Sequence, residues 1–136
     1  MPLRASQLKV GDTHTERVVD NLTRTQIVQY AGASGDYNPI HSDEVYTTQV
    51  AGYPSVFAHG MLTMGLTGKM LTNYVGAGRL TKFGVRFTNQ VWPGDSLDAK
   101  TTVTAVKDGL VELDVVTTNQ EGKEVVRGTA EARIDP

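Results

Sequence analysis

Phe57–Thr72, FAHGMLTMGLTGKMLT, decides the fold, because the hydrophobic period changes immediately beyond it. The stretch is apolar nearly all round, with one charge at Lys69, and reads as a buried helix rather than a surface one. Gly65 and Gly68 lower helix propensity, but they remove side-chain bulk and let neighbouring backbone pack closely. After Gly76-Ala77-Gly78 the pattern alternates. Phe83, Val85 and Phe87 form one run, Val103 and Ala105 a second, Val111, Leu113 and Val115 a third, and Val126 to Ile134 a fourth. Turn residues separate them at Trp92-Pro93-Gly94-Asp95, Lys107-Asp108-Gly109 and Asn119–Gly122. Four strands in an antiparallel meander are expected, and Val10–Asn21 is a candidate fifth.

Upstream, Thr23–Ala33, TRTQIVQYAGA, opens on an N-cap and places Ile27, Tyr30 and Ala31 on one helical face. That helix should end near Gly32 to Gly35. Gly35–Asp43, GDYNPIHSD, then breaks regularity, with Pro39 steering Asn38 towards extended geometry. Ser42 or Asp43 is placed to cap a short helix from Glu44 to about Val50. Helices first and strands afterwards imply an α+β fold, with an antiparallel sheet wrapped around one apolar helix.

The 136 residues amount to one domain, spanning 1–136. The apolar fraction of 39% supports one ordinary core and leaves a sheet edge or face for a partner. Thirteen basic and fifteen acidic side chains nearly cancel, and no dense cationic stripe is present, so nucleic acid is not an expected partner. Without cysteine there are no disulfides, thiolate metal sites or Cys nucleophile, which agrees with a reducing compartment. The N-terminal residues lack the apolar core of a secretory signal, and no run reaches the 18 or so apolar residues of a membrane span. A soluble, cytoplasmic protein is expected.

Asp36, Asn38 and His41 are the densest polar group within a short span. On a loop pinned by Pro39, Asp36 and His41 can aim at one point and hold one water. Hydration of an α,β-unsaturated thioester needs a base to take a proton from water as it attacks the β-carbon, and an acid to protonate the α-carbon. Imidazole and carboxyl groups suit those tasks, and Asn38 can orient the water by hydrogen bonding. His59-Gly60 marks the start of the apolar helix, where free N–H groups and the helix dipole favour the negative charge that builds on the thioester oxygen. Gly60, with no side chain, is the natural donor.

Plainer readings stand beside these. Asp36 and Asn38 are common turn formers. His59 is either a hydrogen-bonding residue of the site's outer layer or a helix-start residue, and His14 is a packed or exposed imidazole. Met61, Met64 and Met70 fill core. Arg79, Lys82 and Arg86 belong to a solvated strand face. Two His and an Asp raise the question of a metal, but no helical HxxxH or other compact ligand spacing is present, so none is expected.

At these same residues the chain resembles a known family. Ala33–Asp43, ASGDYNPIHSD, followed by Phe57–Leu66, FAHGMLTMGL, is similar to the MaoC-like, (R)-specific enoyl-thioester hydratases and (3R)-hydroxyacyl-thioester dehydratases of the hot-dog fold. The resemblance implies that Asp36 and His41 are the catalytic dyad, that Asn38 assists, and that the Gly60 amide polarises the thioester carbonyl. It further implies syn addition to give a (3R)-hydroxyacyl thioester, with no cofactor and no metal. Some short-chain members carry Ser where this chain has Gly65, and the smaller residue leaves room for substrate. With Gly65, the residues His59, Tyr53 and Phe57 are expected to meet the acyl thioester, carried on coenzyme A or an acyl carrier protein. The family pairs its sheets edge to edge, so a homodimer, or a heterodimer with a related hot-dog subunit, is expected. A hot-dog thioesterase is the enzyme alternative, but such enzymes place a carboxylate on the central helix, and Met61–Leu71 has none. A non-catalytic acyl-binding subunit would not need Asp36 and His41.

Overall fold

The structure, a computed structural model, describes residues 3–136. Strand β1 (Thr13–Val19) precedes helices α1 (Arg24–Ser34), α2 (Glu44–Gln49) and α3 (Gly60–Val75). Strands β2 (Leu80–Phe87), β3 (Leu97–Lys107), β4 (Leu110–Thr118) and β5 (Glu124–Arg133) complete the chain. All five strands form one antiparallel sheet. The α+β expectation holds, and the strand proposed within Val10–Asn21 is present as β1.

Two expectations need correction. The strand order is β1-β3-β4-β5-β2, so only β3, β4 and β5 make a meander. β2 crosses over to pair with β5, Phe83 opposite Ala130 and Phe87 opposite Val126. The WPGD segment is the reason. Its turn is closed by the Asp95 carboxylate on the Trp92 N–H and is tied to Leu22 rather than to a neighbouring strand. It therefore carries the chain across the fold instead of folding β3 back on β2.

The second correction concerns α3. It begins at Gly60, not Phe57, because the Phe57 and Ala58 N–H groups are taken by the Ile40 and Val91 carbonyls. Nor is it buried all round. Thr63, Thr67, Met70, Leu71 and Val75 face the sheet, while Met61, Gly65, Lys69 and Asn73, four residues apart, form an exposed stripe. Apolar composition overstated its burial because Gly65 and Met61 occupy that stripe. Two buried threonines fasten the inner face: the Thr67 hydroxyl donates to the Thr63 carbonyl at 2.9 Å, which leaves the Thr117 hydroxyl to donate to Thr67 at 2.6 Å.

Both edges of the sheet curl onto α3. From β1, the His14 ring stacks on Tyr74 and Glu16 accepts from Asn73. From β2, the Phe83 ring fills the space that Gly68 leaves, where an added Cβ would lie 3.2 Å away. Burial of Met70, Leu71 and Val75 against Val103, Val111 and Leu113 forms one half of the core. Ile27, Ala58, Leu97 and Val126 form the other. At about 25 cal/mol per Å² of apolar surface removed from water, this burial is the main force holding sheet to helix.

The shorter helices are set by local chemistry. Thr23 caps α1 through the Gln26 N–H, and Gln26 returns a bond to the Thr23 N–H. The helix stops at Gly35, which adopts φ 76°. Asp43, rather than Ser42, caps α2 through the Tyr46 N–H. Among the described residues no helix is long and apolar enough to cross a membrane.

One backbone contact tests the β2–β5 crossover directly. A Cβ at Gly128 would fall 1.9 Å from the Gly84 carbonyl oxygen and 2.7 Å from the Val85 Cα. Backbone cannot yield as a side chain does, so Gly128→Ala should destabilise the fold by about 1 to 3 kcal/mol. A urea-unfolding midpoint equal to that of the parent protein would contradict this pairing.

Candidate active site

The loop between α1 and α2 is a succession of side-chain turns. The Asp36 N–H donates to Ser34 Oγ, the Asn38 N–H to Asp36 Oδ1, and the Ile40 N–H to Asn38 Oδ1. Asn38 is extended, as the following proline requires, and Pro39–His41 makes a single 3₁₀ turn. Asn38 Oδ1 thus serves the turn. One face of this loop is left to Asp36, whose side chain is about half exposed, and to His41, which is buried.

His41 is held by one strong bond. Its Nδ1 lies 2.7 Å from the Phe57 carbonyl, and because a carbonyl only accepts, Nδ1 carries the proton. Nε2 is then a free lone pair, 4.0 Å from Asp36 Oδ2. That span is too long for a direct hydrogen bond. A water about 2.8 Å from each atom would bridge it at roughly a right angle. Burial pushes the His41 imidazole below its ordinary value; the Phe57 carbonyl and Asp36 act the other way, and the neighbouring His59 adds to the lowering. A neutral base beside a carboxylate results.

His59 sits behind His41. It is 2% exposed, its ring stacks on His41 with centroids 3.8 Å apart, and Tyr30 meets it edge-on from α1. Its Nε2 donates to the Asp36 backbone carbonyl at 3.0 Å. Phe57, also buried, closes another side, edge-on to His41 and to Trp92, and Tyr53 packs behind Phe57. Among the expected site residues, Asp36, His41, His59 and Phe57 are therefore gathered together. Asn38 shapes the loop, and Gly60 follows His59 at the first position of α3. Gly65 lies apart on the exposed stripe, with open space where a Cβ would be.

No backbone carbonyl among the described residues accepts from the Gly60 N–H, which is the donor a developing oxyanion needs. A cleft of about 280 Å³ opens beside it, lined by Phe57, Gly60, Phe87 and Thr88 to Gln90. Phe87 escaped the sequence reading. Its ring covers Gly60 so closely that an added Cβ would lie 3.1 Å away, yet it is half exposed. Alternation in β2 marked it as core, and nothing local reveals that the strand ends over a helix start. A larger hollow of about 570 Å³ over Gly84 and Gly128 holds Arg86, Arg127 and Asp114 but no imidazole.

Asp36, His41 and His59 each offer a ligand atom within 4.8 Å of the others, close enough to raise chelation as an alternative. The two imidazoles stack 25° from parallel. His41 Nδ1 and His59 Nε2 are occupied by carbonyls. His41 Nε2 and His59 Nδ1 are the ring nitrogens left without a carbonyl partner.

Comparison with known proteins gives a consistent answer. A family model for the MaoC like domain matches residues 6–125. The 3-hydroxyacyl-thioester dehydratase Y of Mycobacterium tuberculosis is 38% identical over 89 residues, 63% of this chain and 31% of that protein. This chain spans less than a third of the length of the curated relatives it matches. Among solved structures, the R-hydratase PhaJ1 of Pseudomonas aeruginosa superposes with a TM-score of 0.88 at 28% identity, covering 98% of this chain and 86% of that one. The ChsH1-ChsH2 complex from Mycobacterium tuberculosis matches with a TM-score of 0.81 at 26% identity, covering 93% and 98%.

A neutral, buried His41 has consequences for pH. The folded imidazole is lowered, so below about 6.5 the unfolded chain binds the proton more readily. The contribution of His41 to stability is complete above that value and is lost as pH falls through it towards the folded pKa. His41 should titrate below 6.5 in an NMR pH series, and a midpoint above 6.5 would contradict the geometry.

Proposed function

The chain belongs to the MaoC-like dehydratase family of (R)-hydratases and 3-hydroxyacyl-thioester dehydratases, and we propose that it reversibly hydrates trans-2-enoyl thioesters to (3R)-hydroxyacyl thioesters. The observation that carries this reading is the 4.0 Å gap between Asp36 Oδ2 and a His41 Nε2 left unprotonated by the Phe57 carbonyl. A water in that gap gives one hydrogen to Asp36 and presents the other to His41. His41 removes the proton as the water oxygen bonds to the β-carbon, and electrons move to the thioester oxygen. The imidazolium beside Asp36 then returns the proton to the α-carbon. Because donor and nucleophile come from one place, both atoms add to the same face. In the reverse direction His41 takes the α-proton and the β-hydroxyl leaves as water.

The Gly60 N–H supports the same chemistry. Standing at the positive end of a helix that runs from Gly60 to Val75, it donates to the oxygen on which enolate charge collects. The acyl chain would enter through the cleft beside Phe57 and Phe87, with coenzyme A or an acyl carrier protein as the carrier outside. No carboxylate lies on α3, so nothing favours attack on the carbonyl carbon. The free outer edge of β2 and the exposed stripe on α3 support pairing with a second hot-dog unit, identical or related.

Incubation with crotonyl-CoA and with longer enoyl thioesters should show loss of the enoyl absorbance and an (R)-configured product. Release of free thiol without hydration would instead indicate a thioesterase. Asp36→Ala and His41→Ala should each lower kcat/KM by about 100-fold or more, and Asn38→Ala by less. Near-parental rates in both would remove the mechanism.

Gly60→Pro, read against Gly60→Ala, isolates the amide donor, because both add a Cβ against the Phe87 ring and proline alone removes the N–H. Proline is accepted at the first position of a helix, and the preceding His59 is already extended, at φ −61° and ψ 136°. The helix should form, while kcat falls about 100- to 1000-fold. An unchanged kcat in a folded variant would place the oxyanion elsewhere.

A further inference from the structure

His59 is nearly sealed from solvent, so it does not meet substrate from where it stands, yet one face of its ring and one nitrogen are committed to the reacting pair. We propose that His59 is a positioning residue: its Nε2–H fixes the main chain of Asp36, and its ring fixes the plane of His41, so that one side chain sets both ends of the gap that holds the water.

The bonds of Asp36 show why such a residue is needed. Its N–H reaches Ser34 and its Oδ1 takes the Asn38 N–H, both within the same loop. Among the described residues, the bond from His59 to the Asp36 carbonyl, across 23 positions, is the hydrogen bond that ties Asp36 to the rest of the fold. Without it the carboxylate depends on turns that an exposed loop can remake. On the other side, the stacked His59 ring at 3.8 Å keeps His41 from tilting about its Phe57 bond.

An unmade bond strengthens the case. With its proton committed to the Asp36 carbonyl, His59 keeps a lone pair on Nδ1, and that atom is buried with no partner. An unsatisfied buried nitrogen opposes folding, and a purely packing role would be filled better by a phenyl or alkyl side chain. The imidazole makes sense where the Nε2 bond is needed. The groups facing the ring pair are few: Asp36 from the loop, the Tyr30 ring from α1, and the Phe57 ring. Charge on either imidazole therefore opposes charge on the other, which helps His41 stay neutral.

The kinetic arm of the test rests on the hydration reading; the spectroscopic arm does not. In ¹⁵N-labelled parental protein near neutral pH, long-range ¹H–¹⁵N spectra should show His59 protonated at Nε2 and His41 at Nδ1. His59 protonated at Nδ1 alone would overturn the proposal, because Nε2 would then have nothing to donate. His59→Phe keeps a flat ring and loses the donor, whereas His59→Gln keeps an N–H and loses the ring. With enoyl thioester, H59F should lose about 10- to 100-fold in kcat with KM within about threefold, as expected of a misplaced reacting group. H59Q should recover most of that loss. Parental kcat in H59F, or H59Q no better than H59F at equal thermal stability, would overturn the bond to Asp36. H59Q at full parental kcat would overturn the part of the ring. If the parental protein hydrates no enoyl thioester, the functional reading fails, while the tautomers still decide whether His59 can hold Asp36.

Discussion

Everything at the site depends on the hydrogen bond from His41 Nδ1 to the Phe57 carbonyl. It joins an irregular loop to the extended segment that leads into α3, and it does so with the one nitrogen whose protonation decides what the other can do. A donor at Nδ1 makes Nε2 a base; a donor at Nε2 would make it an acid pointed at Asp36. The bond is also what makes burial of the ring affordable, since half of its polar capacity is satisfied inside the fold. The Phe57 N–H returns a bond to Ile40, so loop and segment hold each other by two opposite bonds on either side of the imidazole.

The same segment supplies three functions within four residues. Phe57 orients His41, His59 holds Asp36, and Gly60 starts the helix whose first N–H is free. Extended backbone places successive side chains on opposite sides, and the change to helix at Gly60 turns the next amide towards the cleft. A change of one residue in where α3 begins would separate the donor from the base. The extended Phe57–His59 run is kept out of the helix by its bonds to Ile40 and Val91, which explains why apolar periodicity alone placed the helix start too early.

What could be read from the sequence was local. The N-cap at Thr23, the stop at Gly35, the asparagine before Pro39 and the cap before Glu44 each depend on neighbours a few positions away, and each is present. The crossover of β2 was not legible. Alternating residues state that a strand exists and which face is apolar, but not which edge it joins, and a turn such as WPGD looks the same in a hairpin as in a crossing. The exposure of Met61 and Gly65 was equally hidden, because neither residue carries a charge to mark a solvent face. Within the site, Asp36 and His41 were legible through their loop, and His59-Gly60 as a pair beside it. Tyr30 and Phe87 were not, since each reaches the site from an element whose pattern reads as ordinary packing.

On the proposed reading, the arrangement divides the requirements of a proton-transfer site between two depths. The base must be dry enough to stay neutral, and His41, buried and backed by a second imidazole, meets that condition. The water it acts on must be able to come and go, and Asp36, half exposed at the mouth of the loop, meets that one. Neither condition can be satisfied by one residue, because burial deep enough to suppress charge on imidazole would also shut out water. A separation of 4.0 Å leaves room for one water to bridge the two environments. The fold achieves it by anchoring a solvent-facing loop to a dry segment through two histidine bonds, and the wrapped sheet keeps that segment dry by burying α3 beneath it.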